Sequence, residues 1–218
     1  MSWTYFWAAG AHGSQPRYNQ FPFGGCAVGC GPVAWTMLFC WADRQSGTGN
    51  AYWAPRNGLY RQNGGRGADA VAPITQDGGV NNVATEVRGQ VGTFCISGSG
   101  ATVPWSMPGA ASYLSGRTNT RLQANWNSVG IHEGGLRNLA VDSIVYRQTP
   151  AIIGTGWLSH YPLAFGYAWQ RRTIRRCFIF CWNDEVTDAC FYVNQGWGGG
   201  GSGEWIDAST WFAGQISP

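Results

Sequence analysis

The chain of 218 residues carries 14 basic residues, all arginine, 11 acidic ones and three histidines, for a net charge of +3. That balance is too small to imply a nucleic-acid or membrane-surface partner by itself, and no apolar run approaches the roughly 20 residues of a membrane-spanning helix. Only 11% of residues are charged against 15% aromatic, so Gly, Ser, Thr, Asn and Gln must cover much of the surface, a composition more common outside the cytosol.

Residues 1–25 read as an aromatic lead-in punctuated by Gly and Pro, without the charged start and apolar core of a signal peptide. Residues 30–44 predict the central helix, with Ala34, Met37, Leu38 and Trp41 at helical spacing. Pro32 falls in its first turn, where the missing N–H costs nothing. Cys30 then stands at the helix N-terminus, where the macrodipole and free N–H groups favour a negative charge. With a basic partner near, that setting draws a thiol from about 8.5 toward roughly 3.5–7.5, and the thiolate is the nucleophile. Residues 45–69 form a Gly/Asn-rich connection suited to a cleft rim. Residues 78–97 and 108–115 predict short helices, and Leu136–Tyr146 a helix or helix-to-strand element. Ala151-Ile152-Ile153 predicts a strand, followed by a glycine-containing turn and a second strand opening at His160. Strands at 177–183 and 189–194 flank a turn at Asn183-Asp184-Glu185. Arg171-Arg172 and Arg175-Arg176 mark a solvated hairpin edge, and 204–213 a terminal strand with a short helix.

A cysteine nucleophile needs a base, and the base an orienting group. Of the three histidines, His12 lies among Gly, Ala and Ser, and His132 beside Glu133 and two glycines in a cap-like region. His160 is the best base by context. Asn194 ends an aromatic strand before Gln195-Gly196-Trp197-Gly198-Gly199, where an Asn accepts a hydrogen bond from an imidazole and Trp197 shields the pair. Cys26 is a rival nucleophile, but Ala27-Val28-Gly29 follows it rather than a helix start. Besides Cys30, six cysteines remain, which permits three disulfides or free thiols. Cys-x-x-Cys pairs are missing, so neither a metal nor a cofactor is expected.

Together these residues resemble the papain-like cysteine peptidases, in particular their bacterial branches. Gly29-Cys30-Gly31-Pro32 with Ala34 and Met37 is similar to the nucleophile helix of the bacteriocin-leader-peptidase-like group. Asn194-Gln195-Gly196-Trp197-Gly198-Gly199 resembles the Asn-Trp-Gly-Trp-Gly-Gly signature of streptopain relatives, with Gln195 in place of the first tryptophan. His160 with Gly166-Tyr167 matches the histidine strand of both groups, and Cys, His, Asn is the papain order. The resemblance touches about a third of the residues.

It implies an α+β papain-like fold in one domain, 1–218. A helical lobe, about 26–130, bears the nucleophile helix and packs against a twisted antiparallel sheet lobe, about 140–218. It further implies peptide hydrolysis on a protein or peptide substrate by a secreted enzyme, with a Cys30–His160–Asn194 triad and an oxyanion-hole glutamine. Gln15 resembles the Gln-x-x-Tyr-Asn segment of streptopain relatives, while Gln20 stands six residues before Cys26, the papain spacing. Gly29, Ser159 and Trp197 flank the triad as expected substrate contacts. Transglutaminase-like acyl transfer and a non-catalytic binding module of the same fold are the alternatives.

Overall fold

The computed structural model describes residues 2–11, 13, 15–47, 59–60, 71–115, 117–197 and 203–218. His12 and most of the 45–69 connection lie outside the described residues. In chain order the elements are β1 (Thr4–Trp7), β2 (Pro22–Phe23), β3 (Cys26–Ala27), α1 (Cys30–Gly47), α2 (Gly78–Gln90), β4 (Phe94–Ile96) and β5 (Ser99–Ala101). A 3-10 turn (Pro104–Ala110) leads into α3 (Ala111–Leu114) and β6 (Arg121–Trp126). The second half comprises α4 (Gly134–Val145), β7 (Ala151–Ile153), β8 (Leu163–Cys177), β9 (Cys181–Asn194), β10 (Glu204–Asp207) and β11 (Phe212–Ser217).

The fold is α+β. A seven-stranded antiparallel sheet runs β10-β9-β8-β7-β11-β6, and β1 pairs with β8 where β7 has ended. Alternation along the strands sends successive side chains to opposite faces. Ile152, Leu163, Phe165, Phe212 and Ile216 join α1 and the helices after it in the larger core. Ala151, Ile153, Ala164, Phe191 and Val193 meet Ala140 and Ile144 of α4 in the smaller one. Helix α1 is enclosed on every side: Trp35, Met37, Leu38, Phe39 and Trp41 are all fully buried. A helix apolar all round belongs inside a protein, and this one brings its N-terminus, Cys30, to the edge of the core.

Four sequence expectations change. The 78–97 helix stops at Gln90, because Val91 and Gly92 turn the chain (Gly92 φ +58) into the β4–β5 hairpin. The long hairpin turns at Phe178–Phe180, not at Asn183–Glu185, which lie within β9. Residues 204–213 hold β10 and the start of β11 rather than a strand and helix. The sheet is also not confined to 140–218, since β1 and β6 join it from the first half.

Candidate functional site

Three stretches far apart in sequence meet at the start of α1. The first is the approach to Cys30. Cys26 is disulfide-bonded to Cys95, which removes it as a rival nucleophile. Arg88 donates to the carbonyl oxygens of Ala27 (3.0 Å) and Val28 (2.6 Å). Gly29 then caps the helix, its carbonyl accepting from the Val33 N–H at 3.3 Å. It does so at φ +103, and a Cβ there would lie 3.0 Å from Thr93 Cγ2 and 3.1 Å from the Gly100 carbonyl oxygen. Gly29 is buried, so it serves the backbone turn rather than a substrate contact. Gly29→Ala is expected to cost about 1–3 kcal/mol of stability, the usual cost of a sparsely populated backbone region. Urea unfolding measures it, and an unchanged midpoint would contradict the assignment.

The main-chain N–H groups of Tyr161, Gly31 and Cys30 itself act on the charge of the Cys30 sulfur. These favour the thiolate, yet burial outweighs them and pushes the thiol above its ordinary value, contrary to the sequence expectation. Part of Cys30 reaches solvent, but its sulfur is enclosed enough for desolvation to dominate.

The second stretch is Gly154–Pro162. The Thr155 N–H donates to the His160 carbonyl at 3.0 Å, closing a tight loop. Tyr161 anchors its far end, donating from its hydroxyl to the Thr102 carbonyl (3.1 Å) and packing on Trp211 and Phe212. Ser159 and Trp157 are exposed on the rim, with Ser159 Oγ 3.3 Å from the Thr155 carbonyl. His160 is buried, and its ring lies 4.3 Å from that of Trp197, centroid to centroid. Trp197 is 65% exposed, so it roofs the imidazole with one face to solvent.

The third stretch is the end of β9. Asn194 makes no hydrogen bond to His160 among the described residues. Its Oδ1 accepts from the Gly196 N–H (2.9 Å) and its Nδ2 donates to the Pro16 carbonyl (3.0 Å), clasping the segment that carries Gln15. The polar neighbour of the imidazole is Gln195, whose main chain and side chain both favour its protonated form. Those contacts fall short of ideal geometry: His160 Nε2 and Gln195 Oε1 are buried without a hydrogen-bond partner among the described residues. Gln195 Nε2 in turn donates to Glu204 Oε1 at 2.7 Å. Asn194 and Gln195 diverge because neighbouring residues of an extended chain point to opposite sides. Gln15 is buried next to that clasp, and Gln20 donates its main-chain N–H to the Gly196 carbonyl at 3.0 Å. His132 stands exposed before α4.

Asn194→Ala is therefore expected to cost about 2–4 kcal/mol of stability, for two buried hydrogen bonds. Gln195→Ala should instead lower the imidazole pKa with little loss of stability. Denaturant unfolding and an NMR titration of His160 separate the two, and equal stability losses would refute the assignment.

Burial holds His160 down to about 4, with Gln195 opposing. A depressed histidine sets a pH dependence of definite sign. Above the unfolded value of 6.5 both states are neutral. As pH falls from 6.5 toward 4, only the unfolded chain takes the proton, so stability is lost across that window. The loss by pH 4.5 is about 2–3 kcal/mol. Denaturant unfolding at pH 7 and 4.5 should show that much less acid sensitivity in His160→Gln than in the wild type.

No protein-family model matches the chain, and no curated protein matches its sequence.

Proposed function

We propose that the protein is a cysteine endopeptidase with a papain-like arrangement of its helices against the sheet. One observation carries the reading. The main chain of Tyr161, the residue after His160, favours the thiolate of Cys30 at the N-terminus of a buried helix. In this reading Cys30 Sγ attacks the peptide carbonyl as His160 takes its proton. His160 then gives that proton to the leaving amine, and the C–N bond breaks. Water, deprotonated by His160, attacks the thioester and restores the thiol. The Cys30 N–H and the Gln15 side-chain amide hold the oxyanion. Gln195 orients the imidazole, Trp197 excludes water from it, and Ser159 lies on the substrate side. The same residues serve acyl transfer when an amine replaces water. The Cys26–Cys95 and Cys177–Cys181 disulfides support an oxidising, extracytosolic setting.

The test is mass spectrometry after iodoacetamide, with peptide turnover measured in parallel. Preferential labelling at Cys30, slowed by His160→Ala, is expected. Cys30 labelling no faster than a free thiol, together with no turnover of a peptide library, would favour the binding module. Product masses with added amines distinguish hydrolysis from transfer.

A further inference from the structure

Beyond Trp169 and Cys190 the β8–β9 hairpin leaves the sheet. The pairing with β1 ends at Trp169 and that with β10 at Cys190, so among the described residues Gln170–Asp188 is a two-stranded arm without a third strand. Such ribbons are marginal in water. This one is held by the ion pairs Arg172–Asp188 (2.6 Å) and Arg176–Asp184 (2.9 Å), and by the disulfide Cys177–Cys181 below its tip.

Exposed turns ordinarily take Gly, Asn, Asp, Pro or Ser. The tip here is Phe178-Ile179-Phe180, at 89, 78 and 81% exposure, with Trp182 at 51%. It carries no polar side chain to specify a protein partner. Being convex, two tips meeting end to end would bury well short of the roughly 1,200 Å² of a stable protein interface. The Phe178 N–H is closed onto the Phe180 carbonyl at 3.1 Å, which suits a turn entering an apolar medium. Arg175 and Arg176 lie two to three residues from Phe178, about 7–10 Å along the strand. That offset matches the roughly 5–10 Å depth to which interfacial segments sink. Arg171 and Arg175 share one face, as residues four apart on a strand do. Neither has a carboxylate within ion-pair reach among the described residues, and Glu185 is the acidic residue on that face.

We propose that the β8–β9 arm seats Phe178, Ile179 and Phe180 in the interfacial layer of an anionic lipid bilayer, with Trp182 and Arg175 at headgroup level and Arg171 behind them. Tryptophan favours that boundary, its ring apolar and its N–H wet, and guanidinium groups without a carboxylate partner among the described residues meet lipid phosphates and carboxylates. The contact is independent of the chemistry assigned to Cys30.

Co-sedimentation of the full chain with phosphatidylcholine vesicles containing phosphatidylserine, beside pure phosphatidylcholine vesicles, tests it. Velocity sedimentation without lipid is run in parallel. The wild type should pellet with the anionic vesicles as a lipid-free monomer. Phe178→Ser/Phe180→Ser should weaken binding at least about tenfold, with an unchanged circular dichroism spectrum. Arg171→Gln/Arg175→Gln should weaken it several-fold and flatten its salt dependence. A wild type that stays in the supernatant, or a serine variant that pellets like it, overturns the proposal. Equal binding to both vesicle types overturns the anionic preference, and a lipid-free dimer abolished by the serine substitutions makes the tip a protein interface instead.

Discussion

Replacing Cys30 with alanine is expected to reduce peptide hydrolysis by about 10³-fold or more, since losing a nucleophile leaves only binding and oxyanion stabilisation. His160→Ala should cost nearly as much, and the double variant little more, because in the proposed mechanism the two act as one unit. The pH profile is the more searching part of this prediction. A resting thiolate–imidazolium pair would place an alkaline limb where the imidazolium loses its proton. The site has instead a thiol raised by burial and an imidazole lowered to about 4. At neutral pH both groups are uncharged, so in the proposed mechanism proton transfer accompanies attack rather than preceding it. The profile of kcat/KM should fall only below about pH 4–5 on the acid side and show no decline through pH 8. A bell centred near pH 6–7 would contradict the neutral pair.

Breaking the Cys26–Cys95 disulfide should produce the largest change in stability. The bridge joins residues 69 apart in sequence, and a loop of that size restrains the unfolded chain by about 4 kcal/mol. For a domain this long the expected fall in Tm in Cys26→Ser/Cys95→Ser is about 8–16 °C. The Cys177–Cys181 bridge spans 4 residues, so its loss should cost much less. Function should suffer too, because the bridge is one of three ties on the approach to Cys30. The others are the Arg88 hydrogen bonds to Ala27 and Val28, and the close contact of Gly29 with Gly100. Calorimetry with and without reductant, comparing wild type and variant, checks this. A shift below about 2 °C would mean that the bridge does not restrain the chain as the loop entropy requires.

Helix α1 was legible in the sequence because several local signals agree there: a proline that only a first turn accepts, helical spacing of apolar residues and a preceding glycine. The strand ending at Asn194 was legible from its aromatic run and the glycines after it. What local pattern does not carry is which of two adjacent polar side chains faces the imidazole. Asn194 carried the motif, but the extended backbone turns its amide toward Pro16 and leaves Gln195 beside the ring. The hairpin turn was misplaced for a related reason. Asn183-Asp184-Glu185 has turn composition, but register is set by pairing along the whole ribbon and by the cysteines that close it. An exposed Phe-Ile-Phe turn contradicts turn chemistry, so its position came only from the structure. Strand β1 was hidden because Thr4–Trp7 is too short to announce itself, and only Phe165 and its neighbours on β8 give it a place to pair.

The clasp between Pro16 and Asn194 joins residues 178 apart in sequence. At about 5–20 residues per second, a ribosome needs roughly 10 to 35 s to pass from one to the other. Until residues 160 and 161 have been made, Cys30 lacks the Tyr161 N–H and the His160 imidazole of the finished site. Under the proposed function, hydrolytic competence arrives as a late event of synthesis, after most of the chain has left the exit tunnel. Order of translation alone gives the nascent polypeptide a period of chemical silence.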